Sequence, residues 1–509
     1  MKSKMDEAFL TYSALDSACM MEIYEKFFHN LGEYSATYQM TIELLPVLTF
    51  MQTKGMLVNH TLLNETKVEV LTKAAELQEE LNALVGKPLN VNSSKQCASY
   101  FYVELGIAPI YNGKTKSVTT DDLAMQRLVR GTAKHPGLRQ AKLVQEIRGL
   151  QKLHSTYLDI AFDEDDRLRG SYNPRGTKFG RLSSSKTVFG TGMNYQNLPQ
   201  EFKKFLIPDE GYFLLELDKR QAEWIVIAYL ADDANMIAAI TEGLDVHAHT
   251  ASLMFGVPIE IVSYEHKAVG HITNPDMIAE VRSKDEILKA FNSTKWPRTM
   301  SLRQCGKKSN HGLNYDERYR NFALINEMLE TEAKRVIDLY HTIYPGIHLY
   351  YETVKRQLQK DRTLTNCFGR KVGFLGEWNE DLWKSAYSML PQSTVVDSLN
   401  KGMVHIYHDE SITRELGLDI LAQVHDSILM QIPIRVVQDK EVWESLLTKL
   451  KTYLTPTLCY NGREFTIATD GKVGLNWGGE HKGHNKQGMR DLTTHEDLLA
   501  LLSLEDSNG

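Results

Sequence analysis

Apolar residues recur at helical intervals through several stretches of the chain. In residues 41–85 they are Ile42, Leu45, Leu48, Met51, Leu63, Val68, Val70, Leu71, Leu77, Leu81 and Leu84. The same period predicts one long helix at residues 138–162 and further helix at residues 320–362. Residues 40–160 are therefore predicted to be predominantly helical.

Shorter apolar runs predict strands. Residues 213–218 are mostly apolar and end at Asp218, and residues 421–430 are apolar on both sides of a turn that contains Asp426. A hairpin is also predicted at residues 364–375, and strands begin in the Gly- and Ser-rich segment 170–192. Helical segments that are separate from hairpins predict an α+β fold, and the length predicts two or more subdomains.

The two aspartates at strand ends are the first candidate site. Asp218 and Asp426 lie about 200 residues apart in sequence. Carboxylates on two neighbouring strand ends can hold a pair of Mg²⁺ ions, as nucleotidyl transfer requires.

A basic helix between these aspartates is the second candidate. Arg303, Lys307, His311 and Tyr315 are spaced four residues apart. Successive members therefore rotate by about 40° and share one helix face about 18 Å long. A triphosphate and its base can lie along such a face, although on spacing alone a solvated basic surface is the other interpretation.

Composition narrows the class of protein without identifying it. The five cysteines form no Cys-x-x-Cys pair, which argues against a disulfide framework or a zinc site and fits a reducing compartment. No apolar run approaches the roughly 20 residues that span a bilayer, and no apolar signal core follows the first residues, so a cytoplasmic protein with no membrane partner is expected. The formal net charge is −7, yet cations cluster at residues 178–186, 203–204 and 298–308, and local clusters decide nucleic-acid binding.

Several motifs, in a fixed order, resemble those of family A (polymerase I-like) DNA polymerases over roughly residues 10–480. They are Gly180-Arg-Leu-Ser-Ser-Ser185, Asn194-Tyr-Gln-Asn-Leu-Pro199, Asp218-Lys-Arg-Gln-Ala-Glu223 (motif A), Asp245-Val-His247, the Arg303/Lys307/Tyr315 helix (motif B), Pro391-Gln-Ser-Thr394 through Asp397, and Gln423-Val-His-Asp426 (motif C).

The resemblance implies a right-hand fold with a palm sheet and helical thumb and fingers. It divides the chain into a remnant of the end of an exonuclease domain at 1–39, a thumb at 40–160, a palm at 161–223 and 418–480, fingers at 224–417 with an insertion at 258–297, and an acidic tail at 481–509.

The resemblance also implies roles at the nucleotide site. Asp218 and Asp426 are implied to hold two Mg²⁺ ions, for which Mn²⁺ can substitute, and these aspartates and Lys307 are the implied catalytic residues. The implied dNTP-binding residues are Arg303, Lys307, His311, Tyr315, His247, Glu223 and Gln221. Among them, Glu223 matches a steric gate that crowds the sugar 2′ position and so selects dNTPs over rNTPs.

A second set of residues is implied to contact primer–template DNA. It consists of Arg181, Asn194, Gln196, Asn197, Gln392, Thr394 and His425. For Asn194, Gln196 and Asn197, capping of a loop is an equally good interpretation.

Some positions depart from the family pattern. His311 stands where an aromatic residue usually stacks on the incoming base, and Ser427 replaces a frequent second carboxylate after Asp426. The role of the insertion at 258–297 is open, with a DNA contact at the tip of the fingers as one interpretation.

The two ends of the chain carry separate expectations. Tyr12 and Asp16 resemble the last motif of the family's 3′–5′ exonuclease domain, but no Asp-x-Glu precedes them. This chain alone is therefore expected not to proofread, so an exonuclease either docks as a separate chain at residues 1–30 or has been lost. A helix that merely contains Tyr and Asp is the plainer interpretation. The acidic amphipathic stretch 492–504 is either a peptide for a replication partner or a packed or disordered end.

The expected function is template-directed addition of dNTPs to a primer in DNA replication. The compact chain and divergent motif B favour a bacteriophage-type enzyme in the cytoplasm of a bacterial host. A single-subunit RNA polymerase and a catalytically silent primer–template binding subunit are the alternatives.

Overall fold

The computed structural model describes residues 2–112, 115–130, 137–270, 272, 274–291, 296–481 and 484–503. The chain forms two compact units, which are described separately below. The first unit comprises Met1–Met51, Tyr172–Ser183 and Glu216–Lys472, and the second comprises Gln52–Ser171, Ser184–Leu215 and Val473–Gly509. None of the helices in the described residues is long and apolar enough to cross a membrane.

Helices dominate the described structure. In chain order the α-helices are Lys2–Phe28 (α1), Ser35–Lys54 (α2), His60–Val85 (α3), Ser94–Ala98 (α4), Asp122–Arg130 (α5), Arg139–Lys152 (α6), Gln200–Lys203 (α7), Ala222–Leu230 (α8), Ala234–Thr241 (α9), Val246–Phe255 (α10), Ile259–Val269 (α11), Pro275–Lys284 (α12), Glu286–Lys289 (α13), Leu302–Leu313 (α14), Tyr319–Ile325 (α15), Glu330–Ile343 (α16), Gly346–Asp361 (α17), Glu380–His408 (α18), Ile434–Gln438 (α19), Lys440–Leu454 (α20) and His495–Leu502 (α21).

The strands are short, and several of them pair as hairpins. In chain order they are Met56–Val58 (β1), Arg167–Leu168 (β2), Ser171–Asn173 (β3), Ser183–Ser185 (β4), Leu206–Ile207 (β5), Tyr212–Lys219 (β6), Thr363–Thr365 (β7), Lys371–Gly373 (β8), Asp419–Val424 (β9), Ser427–Pro433 (β10), Leu458–Tyr460 (β11), Arg463–Phe465 (β12), Thr469–Gly474 (β13) and Arg490–Asp491 (β14). Together with the helices they confirm the predicted α+β class.

Strands β6, β10 and β9 are consecutive neighbours in one sheet, so Asp218 on β6 lies beside the β9–β10 turn that carries Asp426. Strands β9 and β10 are antiparallel and pair Val424 with Ser427 across a two-residue turn, as predicted for this hairpin. The Lys219 N–H at the end of β6 donates to the Asp426 carbonyl at 3.1 Å. Asp218 and Asp426 are therefore brought side by side by strand pairing.

Helix α14 of the first unit has two different sides. Its inner side is buried and consists of Leu302, Cys305, Gly306, Ser309, Asn310 and Leu313. A Cβ atom on Gly306 would clash with the His247 carbonyl oxygen, so only glycine allows α14 and α10 to pack this closely. This packing turns Arg303, Lys307 and His311 outwards.

Aromatic side chains fill the main core of the first unit. The core includes Trp224, Phe322, Tyr340, Tyr344, Tyr350, Tyr351 and Tyr387. Helix α8 is apolar on nearly all sides because it is buried against this core and against a smaller cluster.

The second unit holds its own core between helices α3 to α6. Leu81, Phe101, Leu143 and Ile147 are fully or almost fully buried there. A three-stranded sheet of order β2-β1-β5 lies in the same unit.

Three predicted helical stretches are broken at identifiable points. In residues 41–85 the helix stops before Gly55, whose φ of +61° suits glycine, and strand β1 follows. Helix α6 ends at Lys152 and continues as a wider π-type turn to Leu158. Residues 320–362 form three helices, and Pro345 separates the last two. The hairpin predicted at 364–375 is confirmed by the pairing of β7 with β8.

Candidate active site

A cavity of about 690 Å³ opens in the first unit where β6, the β9–β10 turn, and the helices α8, α10 and α14 converge. Nine of the predicted site residues line it, namely Asp218, Gln221, Glu223, His247, Arg303, Lys307, His311, Tyr315 and Asp426. The structure thus brings together carboxylates and cations that are far apart in sequence.

The two aspartates repel each other within this cavity. Burial in the cleft, and next the charge of Asp426 and then of Glu216, raises the pKa of Asp218 from 3.8 to about 6. Burial, followed by the charge of Glu223, also raises the pKa of Asp426. Within the described residues neither carboxylate forms an ion pair. The pair is therefore an electrostatically unfavourable arrangement that bound cations would relieve.

The turn that carries Asp426 is held in an unusual backbone conformation. His425 has a φ of +53°, and its carbonyl accepts a hydrogen bond from the Gln423 side chain at 2.6 Å. The Ser427 hydroxyl donates a hydrogen bond to the Glu216 carboxylate at 2.9 Å. At the position where the resemblance predicts a second carboxylate, the chain therefore has a hydroxyl that is bound to the carboxylate of Glu216. His425 itself is exposed.

Arg303 is already bound to a carboxylate. Its Nε atom donates to Asp245 at 2.6 Å, while Asp245 also caps α10 through the His247 and Ala248 N–H groups. Burial alone would raise the pKa of Asp245, but the hydrogen bonds from Arg303 and from the Ala248 N–H, together with the charge of Arg303, outweigh it and the pKa is lowered. Lys307, one turn further along α14, is exposed to the cavity.

His247 is held as a neutral imidazole with a defined tautomer. Burial, and next the charge of Arg303, lowers its pKa to about 4. The Asn310 amide nitrogen lies 3.0 Å from His247 Nδ1 and 3.2 Å from the Val246 carbonyl. Because that carbonyl can only accept, the amide group facing it must be the NH₂, and Nδ1 of His247 must then accept as well. The proton of His247 is therefore on Nε2.

Glu223 connects three predicted site residues. It accepts hydrogen bonds from Arg181 and from the Tyr315 hydroxyl, the latter at 2.5 Å, and it lies 3.8 Å from His311 Nδ1. Burial, and then the charge of Glu223, raises the pKa of Tyr315 well above its usual value. The Tyr315 hydroxyl is therefore a permanent donor to Glu223, and His311 meets the Tyr315 ring edge to face at 5.3 Å.

The remaining residues predicted to contact DNA lie in varied surroundings. Thr394 is fully buried, and its hydroxyl lies 2.6 Å from that of Tyr460. Its predicted contact with DNA stays a prediction, and its side chain is not exposed at the protein surface. Gln392 lies in α18 and is half-buried. In the second unit, Asn194 caps the short turn Tyr195–Asn197 by accepting from the Gln196 N–H at 2.9 Å, which is the alternative role named for it.

The described part of residues 258–297, where an insertion is predicted, supports the first turn of α14. Residues 271, 273 and 292–295 of the insertion lie outside the described residues. Glu265 accepts from the Leu302 N–H at 2.9 Å, and it forms a buried ion pair with Arg282. Arg282 also donates to the Met300 carbonyl at 2.9 Å, and His266 lies 2.8 Å from the Ser301 hydroxyl that caps α14.

Sequence reasoning missed Asn310, Asp245 and the Glu265–Arg282 pair as parts of this site. Asp245 stood in a quoted motif, but only His247 was given a role there. Asn310 is adjacent to the periodic face of α14, and no spacing rule marks it. The pairing of Glu265 with Arg282 could not be found without the tertiary contacts.

Comparisons with known proteins agree with this geometry. A family model described as DNA polymerase family A matches residues 60–275 and 274–478. DNA polymerase I of Rhizobium leguminosarum is 26% identical over 463 residues, which cover 86% of this chain and 40% of that protein. The thermostable DNA polymerase I of Thermus aquaticus is 27% identical over 406 residues, which cover 77% of this chain and 43% of that protein. The chain thus spans less than half the length of these two relatives.

A solved structure has a similar fold. The POL domain of Pol1 from M. smegmatis, in complex with DNA primer-template and dNTP, matches 86% of this chain and 70% of that chain with a TM-score of 0.66. At 22% sequence identity this likeness shows the fold alone. Since the family model spans most of residues 60–478, this chain belongs to DNA polymerase family A.

Proposed function

We propose that this chain is a template-directed DNA polymerase that adds dNTPs to a primer 3′-hydroxyl. The observation that carries the proposal is the cavity in which Asp218 on β6 and Asp426 in the adjacent β9–β10 turn share space with Arg303 and Lys307 on α14. Membership of DNA polymerase family A supports the same reaction.

Asp218 and Asp426 would hold two Mg²⁺ ions, and Mn²⁺ could take their place. The residues fit such ions because both groups are oxygen donors, both have raised pKa values, and neither forms an ion pair within the described residues. Bound Mg²⁺ would stabilise the charge on the attacking and leaving oxygens. Among the described residues no group of three or more His, Cys, Asp and Glu side chains is arranged for a metal. Water, backbone and substrate oxygens would therefore complete the coordination.

The helix side of the cavity would hold the triphosphate. Lys307 and Arg303 offer cationic donors, and His247 offers a neutral Nε2–H group that stays a donor at neutral pH. Lys307 would neutralise charge on the departing pyrophosphate, and Arg303 would exchange its bond to Asp245 for phosphate oxygens.

Glu223, Tyr315 and His311 would surround the sugar and the base. The hydrogen bond from Tyr315 fixes the Glu223 carboxylate, which would exclude a ribose 2′-hydroxyl. The His311 ring, two-thirds exposed, would lie against the base, and Gln221, at the start of α8, would contact the nucleotide.

The proposal extends to the division of the chain and to its DNA contacts. Residues 40–160 would form the thumb, 161–223 and 418–480 the palm, and 224–417 the fingers. Arg181, Gln392, Thr394 and His425, together with Asn194, Gln196 and Asn197, remain the proposed contacts to primer–template. A role in bacteriophage replication in the host cytoplasm also remains a prediction.

The two ends remain candidates for partners. Helix α1 exposes Tyr12 and several large apolar side chains, which is consistent with docking of a separate 3′–5′ exonuclease chain at residues 1–30. In the tail, Leu498, Leu501 and Leu502 are buried in α21, which favours a packed end over a free partner peptide. Residues 504–509 lie outside the described residues.

The RNA polymerase alternative is disfavoured by Glu223, because a carboxylate fixed at the sugar position opposes a ribose. The alternative of a catalytically silent primer–template binding subunit is disfavoured by the preserved pair of carboxylates, since binding DNA without catalysis gives no reason to keep them close together.

Primer extension tests the proposal directly. A labelled DNA primer–template with Mg²⁺ is incubated with dNTPs, with rNTPs or without nucleotide, using the intact chain, Asp426→Asn and the surface control Asp338→Asn. Extension with dNTPs alone, lost in Asp426→Asn and kept in Asp338→Asn, is expected. Extension by Asp426→Asn at the full rate would refute the assignment of the site, and shortening of the primer without nucleotide would refute the expectation that this chain does not proofread.

A further inference from the structure

The turn at residues 187–190 presents two large apolar side chains to solvent. The Gly190 N–H donates to the Thr187 carbonyl at 3.1 Å, which closes a turn with Val188 and Phe189 at its two central positions. Gly190 supplies the left-handed position, with a φ of +81°, that closes the loop, so the backbone geometry does not itself require Val188 or Phe189. Val188 and Phe189 are 89% and 88% exposed.

The base of this turn is fixed by hydrogen bonds within the second unit. The Thr187 N–H donates to the Thr191 carbonyl at 3.1 Å, and the two threonine hydroxyls lie 2.9 Å apart. The Gly192 N–H donates to the Ala161 carbonyl at 3.2 Å. A Cβ atom on Gly192 would clash with the Arg169 carbonyl, so the chain is packed closely at this point. The two apolar side chains are therefore presented by an ordered base, and little further ordering is needed for binding.

The sequence on both sides of the turn is basic between two acidic runs at residues 163–166 and 209–210. Residues 168–208 contain one acidic residue, Glu201, and seven basic residues, namely Arg169, Arg175, Lys178, Arg181, Lys186, Lys203 and Lys204. The segment thus carries a net charge of +6 in a chain whose net charge is −7. Arg169 and Arg181 pair with carboxylates, but Lys186, directly before the turn, is exposed and forms no ion pair among the described residues.

An exposed aromatic tip beside an exposed cation suits one class of ligand. A nucleic acid offers flat base surfaces that stack on aromatic side chains and phosphates that attract lysine. We propose that residues 186–190 bind primer–template DNA, with Phe189 against a base, Val188 beside it and Lys186 on a phosphate. This inference rests on the proposed function, and it assigns a DNA contact to residues that the motif comparison passed over.

Fluorescence anisotropy with a labelled primer–template tests the contact in the intact chain. Phe189→Ser is expected to weaken binding by about 5- to 150-fold, the range that follows from loss of one stacking platform. Lys186→Ala is expected to lower the salt dependence of log K by about one unit, because one phosphate contact is lost. Val103→Ser, in the same unit and 75% exposed, is the matched control and should bind as the intact chain does.

Phe189→Trp provides a readout at the turn itself. Its emission is expected to be quenched when primer–template is added, because stacking on a base quenches indole fluorescence, whereas Val103→Trp should not respond. Normal affinity of Phe189→Ser, together with indole emission of Phe189→Trp that does not respond to DNA, would overturn the turn contact and leave the polymerase proposal intact. Failure of the intact chain to bind DNA would overturn both. Quenching that rises with protein concentration in the absence of DNA would show self-association at this turn and would also overturn the contact.

Discussion

The strand side of the cavity and its helix side differ in how their charges are held. On the strand side, Asp218 and Asp426 face each other without an ion pair among the described residues, and the pKa of each is raised. On the helix side, Arg303 is bound to Asp245, His247 is fixed by Asn310, and the first turn of α14 is supported by Glu265. The comparison shows two ways to prepare a site. Carboxylates that are proposed to bind a cation can remain unpaired at an electrostatic cost, whereas side chains that must point in one direction are held by protein contacts before any ligand binds.

The largest expected effect comes from removing a charge on the strand side. Asp426→Asn keeps the size of the side chain but removes its charge, so dNTP incorporation should fall by about 10³-fold, or roughly 4 kcal/mol of transition-state stabilisation. Single-turnover extension measures this loss. Asp338→Asn should be unchanged, and a loss below tenfold in Asp426→Asn would remove the distinction between the two sides of the cavity.

The next largest effect is expected from removing the buried ion pair that supports the first turn of α14. Glu265→Gln removes the charge that balances the buried Arg282, which should lower the free energy of unfolding by about 3 kcal/mol and raise the KM for dNTP. Glu280→Gln is the control, because the pair of Glu280 with Lys284 in the same segment is exposed and screened by solvent, so its loss should leave the free energy of unfolding nearly unchanged. Denaturant unfolding and steady-state kinetics measure the two effects. Equal stability of the two variants would show that the insertion does not support α14.

A smaller effect tests how His247 is held. Asn310→Leu frees the imidazole to take either tautomer, so kcat/KM for dNTP should fall by about tenfold, or roughly 1.4 kcal/mol. Nitrogen-15 NMR of the imidazole should show the Nε2–H form in the intact chain and a mixture in the variant. In a His247→Ala background the same change should have little further effect. An undiminished tenfold loss in that background would mean that Asn310 acts only through packing.

The smallest effect is a gain in stability from the strand side. The pKa of the Asp218 carboxyl is about 6 in the folded protein and near 3.8 in the unfolded chain. Because the folded protein binds this proton more tightly, its free energy of unfolding falls as pH rises from about 4 to 6. Asp218→Asn should remove this penalty and stabilise the metal-free protein at pH 7 by on the order of 1 kcal/mol, after allowing for solvent in the cavity.

Thermal unfolding with EDTA at pH 4 and pH 7 checks the sign of this effect. The gain should be several times smaller at pH 4, where the carboxyl of the folded protein is protonated, and should shrink at pH 7 when Mg²⁺ is added. Asp338→Asn should show no such dependence. An equal gain in stability at both pH values would mean that Asp218→Asn stabilises the protein by a change in packing and not by removal of a charge.

Local patterns made one part of the site predictable. Short apolar runs predict the strand that ends at Asp218 and the hairpin around Asp426. They do so because the burial of a strand depends on the apolar or polar character of residues that are adjacent in sequence. The outward face of α14 follows from its four-residue spacing. Residues far apart in sequence could be assigned to one reaction only through the resemblance to family A.

Other parts depend on contacts that no local pattern contains. The tautomer of His247 depends on an amide 63 residues away, and the support of α14 depends on a buried ion pair inside the insertion. The apparent continuous helix at 41–85 contains a strand, because β1 gains partners in β2 and β5 that lie more than 100 residues away. In each case tertiary contacts decide the structure over the local preference.

The inward position of Cys305 in α14 has a practical consequence for labelling. Burial raises the pKa of its thiol to about 12, so maleimide and iodoacetamide reagents should not reach the inner side of this helix. A cysteine introduced in place of the exposed His311 would then be the reactive thiol on α14, and a dye attached there would report when a nucleotide enters the cavity.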